Sequence, residues 1–95
     1  MAGGARPSDW FDLKVIWAIS PRYKGPVLVR GRQIDGRGEV GFGSGGIPYE
    51  ELQLPPVAET RWRDYGTRLR VRRGGCFALQ IDTTRGAQVV VIEIR

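Results

Sequence analysis

Arg68, Arg70 and Arg72 alternate with Leu69 and Val71. On an extended chain this spacing puts three guanidinium groups on one side and the aliphatic side chains on the other. A row of guanidinium groups is suited to anionic polymers, because each one neutralises a phosphate or sulfate without reading its sequence. Arg30 and Arg32 repeat the spacing upstream, and Trp62, between Arg61 and Arg63, offers a ring on which a base or a sugar stacks. In a seven-strand sandwich the second and fifth strands are neighbours. That order predicts that Arg30 and Arg32 join Arg68, Arg70 and Arg72 on one outer face with Trp62 at its margin, a candidate site for nucleic acid or acidic polysaccharide. Against it stands the plainer and weightier reading of a solvated face partly neutralised by Glu39, Glu59 or Asp64. No nucleic-acid-reading motif accompanies the row.

Other chemistry is scarce. The chain has no histidine, so the commonest general base and metal ligand is missing, and the single Cys76 builds neither a zinc site nor an internal disulfide. The pattern G-x-G-x-x-G occurs at Gly36, Gly38, Gly41 and again at Gly41, Gly43, Gly46, but no helix follows to complete a phosphate cradle. Those glycines read as turns and bulges. Glu50 and Glu51 point to opposite sides of an extended chain and read as solvated charges, as do the loop pair Asp64 and Tyr65, while Cys76 reads as a small hydrophobe at a strand start. Catalytic, cofactor and metal sites are accordingly expected to be absent.

One further pattern concerns assembly. Val89, Val90, Val91 and Ile92 are apolar at consecutive positions, so both faces of the last strand are hydrophobic, and Ile16 and Ala18 extend the same character to the first strand. Such faces need a cover, because natural edges are normally blunted by charge or proline. Ile16, Ala18, Val89 and Val91 are therefore the candidate assembly interface, with a protein partner or a second copy as the expected occupant.

These residues must be positioned by strands. Punctuation by Gly and Pro separates seven β-prone segments: Leu13 to Ile19, Pro26 to Ile34, Glu39 to Gly43, Leu52 to Leu54, Thr67 to Arg72, Cys76 to Asp82 and Gln88 to Ile94. Asp35-Gly36 predicts a hairpin joining the second and third. A helical turn is expected at Tyr49, and Val57 to Gly66 read as connecting loop. At 95 residues, 41% apolar and 26% charged, the chain has one domain's length and an ordinary globular composition. Residues 1–8 are expected to be a flexible leader, without the apolar core of a signal peptide, and residues 9–95 a single domain with no membrane span. The net charge of +5 rests on fifteen basic residues, of which only Lys14 and Lys24 are lysine; with no Asn and little Cys or Met, this composition also fits a thermophile.

The stretch Gly74-Gly75-Cys76-Phe77-Ala78-Leu79-Gln80-Ile81-Asp82, followed by Val89 to Ile94, resembles the C-terminal part of uncharacterised bacterial extracytoplasmic immunoglobulin-like β-sandwich domains. Lys14-Val15-Ile16-Trp17 and Gly31-Arg32-Gln33-Ile34-Asp35-Gly36 are similar to pieces near their start. Phe77 stands where such domains more often have Tyr. The resemblance implies an all-β, seven-stranded antiparallel immunoglobulin-like sandwich. It also implies an extracytoplasmic or cell-surface location if a leader has been removed; otherwise the expectation is cytoplasmic. Together these observations point to a non-catalytic interaction or structural module, self-assembling through apolar strand faces, with polyanion binding as the alternative.

Overall fold

The computed structural model describes residues 10–43, 45, 48–56 and 61–95; the expected leader lies outside them. The chain forms seven strands, β1 (Phe11–Ile19), β2 (Val27–Gln33), β3 (Gly41–Phe42), β4 (Glu51–Leu54), β5 (Arg63–Val71), β6 (Gly75–Thr83) and β7 (Gly86–Ile94). They make a β-sandwich of two antiparallel sheets, three strands in the order β1-β5-β3 and four in the order β4-β2-β6-β7.

Period-two alternation builds the layer between them. Val27 and Val29 of β2, Leu69 and Val71 of β5, Phe77 and Leu79 of β6, Phe42 of β3, Leu54 of β4, and Val40 form the buried core. Every one of these comes from β2 to β6 or from Val40; neither β1 nor β7 supplies a fully buried side chain. Those two strands contribute half-buried residues at the margin, Leu13, Val15, Trp17 and Ile19 from β1 and Ile92 and Ile94 from β7.

The sequence reading fails between β2 and β4. Arg32 and Glu39 make a single bridge, but the expected hairpin stops there and β3 crosses to pair with β5. The reason is local. Gln33 is buried and turns its carboxamide into the loop, where Oε1 accepts the Gly38 N–H at 2.9 Å and Nε2 donates to Asp35 at 2.9 Å. That side chain closes the turn together with the Gln33 N–H, which donates to the Gly38 carbonyl at 2.9 Å. Val40 and Phe42, two apart, then both enter the core, which carries the chain over to the other sheet. Tyr49 is not helical; it exchanges two backbone hydrogen bonds with Phe42, at 2.8 and 2.9 Å.

The motif glycines have a packing role. A Cβ at Gly38 would overlap Oε1 of Gln33, and one at Gly41 would overlap Pro48, while Gly43 adopts a φ of +91° that side chains disfavour. Residues 63–66, read as loop, are the first four of the nine residues of β5, and Arg63 points inward. Its guanidinium is buried and donates to the carbonyl oxygens of Pro55 at 3.0 Å and Tyr23 at 2.6 Å, tying the β1–β2 and β4–β5 connections across one end of the sandwich.

Candidate functional site

The five-arginine face does not assemble. β2 and β5 lie in different sheets, so Arg30 and Arg32 are on the opposite outer surface from Arg68, Arg70 and Arg72. The strand order differs from the expectation because β5 is the centre of the small sheet, held by β1 on one side and β3 on the other.

Nor is the β5 row a continuous cationic strip. Register sets Asp12 opposite Arg70, and the Asp12 carboxylate accepts from Arg70 Nε at 3.0 Å and from Arg68 at 3.5 Å. Arg70 also donates to the Gly45 carbonyl, and only 4% of the residue remains exposed. It is a buried tie within the fold. Arg72 stacks at 4.5 Å over Trp10, so the aromatic beside this row is Trp10, while Trp62 stands exposed just before β5. In the larger sheet Arg30 pairs with Asp82 at 3.1 Å and lies beside Glu51, while Arg32 lies opposite Ala78. Of the three expected neutralising residues, Glu39 lies across from Arg32 in an isolated backbone bridge, Asp64 lies across from Ala18, and Glu59 lies outside the described residues. Asp12, the carboxylate that organises the row, gave no sequence signal because its role depends on register.

Two other features are structural. The Asp35 carboxylate accepts the Cys76 N–H at 2.9 Å together with Gln33 Nε2, and the Cys76 bond, followed by that of Gln33, holds its pKa below the ordinary aspartate range. Asp82 is likewise lowered, chiefly by Gln80 and further by Arg30, against a desolvation that raises it. Among the described residues no three His, Cys, Asp or Glu side chains gather as a metal site. A depression of about 730 Å³ over the β2–β3 connection is lined by Arg32, Arg37, Glu39 and Glu50 together with Ile34 and Val40.

The remaining candidate is the flank bounded by β1 and β7. On the other flank β3 approaches β4 and closes the sandwich. Here, among the described residues, β1 pairs only with β5 and β7 only with β6. Between them opens a cavity of about 560 Å³, walled by Trp17, Ala18 and Ile19 of β1 and by Gly86, Ala87 and Gln88 of β7, with Val27 and Ile81 among its lining residues. Trp17 is fixed in this wall by its indole N–H, which donates to Thr67 Oγ1 at 2.8 Å.

Comparison with protein-family models, with curated proteins and with solved structures finds no match for this chain. The physical features of the flank therefore carry the functional argument.

All four expected assembly residues lie on the outer sides of β1 and β7. Ile16 and Ala18 face outward on β1, Ile16 with 66% of its surface exposed. Val89 and Val91 face outward on β7 at 62% and 58%, and Val90, on the inner side, is still 43% exposed. A valine that faces the core yet stays this open marks a place where the opposing layer ends. The smaller sheet stops at β1, and the described residues cover Val90 only in part.

The direction of the free hydrogen-bonding groups on β7 follows from its neighbours. Cys76 gives its N–H to Asp35 and receives the Ile34 N–H at 2.9 Å, so both of its backbone groups point toward the β2 side. Its partner across β7 is Glu93, and in an antiparallel ladder the residue opposite such a position turns its own groups away from the shared ladder. Alternation then aims the N–H and C=O of Ala87, Val89, Val91 and Glu93 at the open edge. β7 is nine residues long and contains no proline and one charged side chain, Glu93. Of the usual devices that blunt an edge it has only the charge of Glu93, next to its last residue. β1, by contrast, carries Asp12 and Lys14 on its outer side.

Proposed function

We propose that this domain is a non-catalytic interaction module of the immunoglobulin-like kind, which engages a β-strand through the open β1–β7 flank. The open edge of β7 carries the reading: four residues aim free backbone groups outward between exposed valines, and an added strand is the ligand that satisfies both features together. The half-covered core behind Val90 supports it. So does the three-against-four strand imbalance, which leaves room for one more strand beside β1. The resemblance of the Gly74 to Asp82 and Gly31 to Gly36 segments to extracytoplasmic sandwich domains supports a place outside the cytoplasm, where modules of this kind assemble. Of the candidate arginines, Arg68 and Arg70 are engaged by Asp12 and Arg30 by Asp82, which argues against the polyanion alternative.

Amide hydrogen exchange combined with sedimentation velocity over a wide concentration range tests the reading. Association, or addition of a strand-forming peptide, is expected to protect the amides of Ala87, Val89, Val91 and Glu93 or those of the β1 edge. A chain that remains monomeric, with these amides unprotected under every condition, refutes edge docking. Retention on heparin that persists at physiological salt, where the screening length is about 8 Å, would restore the arginines as the binding surface.

A further inference from the structure

We infer that the occupant of the β7 edge is β7 of a second copy of this chain, paired antiparallel about a two-fold axis through Val90, so that two four-stranded sheets fuse into one sheet of eight strands. The inference rests on the edge-docking reading above and adds the partner and the register.

Several properties of β7 single out a second copy. Two strands of identical sequence meet across a two-fold axis only if the strand is complementary to its own reverse. Read in reverse about Val90, the strand places Val89 against the partner's Val91, Gln88 against the partner's Ile92, and the small Ala87 against the partner's Glu93. Faces match, because paired positions share parity and a one-residue slip is excluded by the period of two. The residues with free backbone groups, Ala87, Val89, Val91 and Glu93, pair among themselves. The full strand length, Gly86–Ile94, is used.

This register also resolves the anomaly at Val90. On the inner side the two Val90 side chains meet at a non-hydrogen-bonded pair, the closer of the two cross-strand geometries, and each covers the surface that its own smaller sheet leaves open.

Charge favours the same arrangement. The chain is +5 overall, a balance that drives copies apart, yet β7 contains no cation and one anion. Within one copy Glu93 accepts from Arg95 Nε at 2.9 Å, and Arg85 lies over Tyr23 and donates to the Arg22 carbonyl at 3.2 Å, so the charges at the two ends of the strand are engaged locally and the pairing rests on its uncharged centre. The β1 edge offers a second copy no comparable fit, because Asp12 and Lys14 interrupt it.

Cysteine cross-linking of the full chain in a Cys76→Ser background reads the register directly. At a non-hydrogen-bonded pair the Cα atoms are about 4.5 Å apart, within disulfide range. Val90→Cys is expected to form a covalent dimer by itself, whereas Val89→Cys and Val91→Cys link only when mixed. As a second readout, Val91→Lys sets a charge against the partner's valine and is expected to weaken dimerisation in sedimentation by about tenfold or more; circular dichroism confirms its folding.

Self-linking of Val89→Cys or Val91→Cys, an unchanged dimer in Val91→Lys, or efficient linking through Ala18→Cys on β1 overturns the inference while leaving edge docking intact. A monomer whose β1 or β7 amides are protected by a synthetic peptide of residues 86–95 likewise removes self-pairing but keeps the docking role. A monomer indifferent to that peptide removes both.

Discussion

The two flanks of the sandwich are built from similar sequence and end in opposite states. On the β3–β4 side, Val40, Phe42 and Leu54 are buried, and the bridge between Phe42 and Tyr49 closes the margin. On the β1–β7 side, Val89, Val90 and Val91 are no less apolar, yet all three are exposed. Hydrophobicity does not separate the two regions. The difference is whether a second layer lies opposite, and β3, only two residues long, provides that layer on one side alone. Apolar surface on the closed flank therefore stabilises the monomer, and on the open flank it remains available for association.

The comparison is open to measurement, beginning with its largest expected effect. Phe77→Ala, at a fully buried position of the core, is expected to cost about 3–5 kcal/mol, enough to unfold much of a small domain. Val91→Ala on the open flank should stay within about 0.5 kcal/mol for the monomer. Urea denaturation at low protein concentration measures both, and equal losses would abolish the distinction between the flanks.

A smaller effect is expected where loops are tied across the end of the sandwich. Arg63→Met keeps much of the volume but leaves the carbonyls of Pro55 and Tyr23 without their donor, a loss of about 1–3 kcal/mol in the same denaturation experiment. A neutral result would mean that water replaces the guanidinium without cost.

The mildest effect concerns acid. Asp35 and Asp82 titrate below the ordinary aspartate range when folded, so their contribution is present above an unfolded value of about 4 and fades as the pH falls through the lowered folded values. Both are surface groups, and the expected change is a modest decline in melting temperature below that pH. Asp35→Asn should flatten part of the decline, since an amide oxygen still accepts the Cys76 N–H but no longer titrates in this range. An unaltered acid profile would show that the Asp35 bonds to Cys76 and Gln33 contribute little.

Much of the strand content was readable without coordinates. The alternation of Val27 and Val29 with Arg30 and Arg32, and of Leu69 and Val71 with Arg68 and Arg70, fixes which side chains can face a common layer, because the period of a strand is a property of the backbone itself. The Val89 to Ile92 run likewise announced a strand apolar on both faces. Strand ends were less legible. Arg63 belongs to β5 although its charge resembles loop, since the carbonyls that make its burial tolerable come from residues distant in sequence, Tyr23 and Pro55.

The arginine face shows a different limit. Alternation places Arg68, Arg70 and Arg72 on one side of β5 but says nothing of what lies across from them. The β1–β5 register brings Asp12 to Arg70, and the Gly45 carbonyl accepts a further bond from it. A cation that sequence shows as outward is thereby enclosed, and Arg30 and Arg32 are carried to the other sheet by strand order.

By itself, then, the sequence determined strand character, the inward and outward partition of each segment, and the absence of histidine, all of which depend on residue type and local periodicity. Only the tertiary structure decided which strands are neighbours, which arginines meet carboxylates, and which flank stays open. Those outcomes depend on register and on the crossing of β3 between sheets, contacts between residues far apart along the chain that no local pattern encodes.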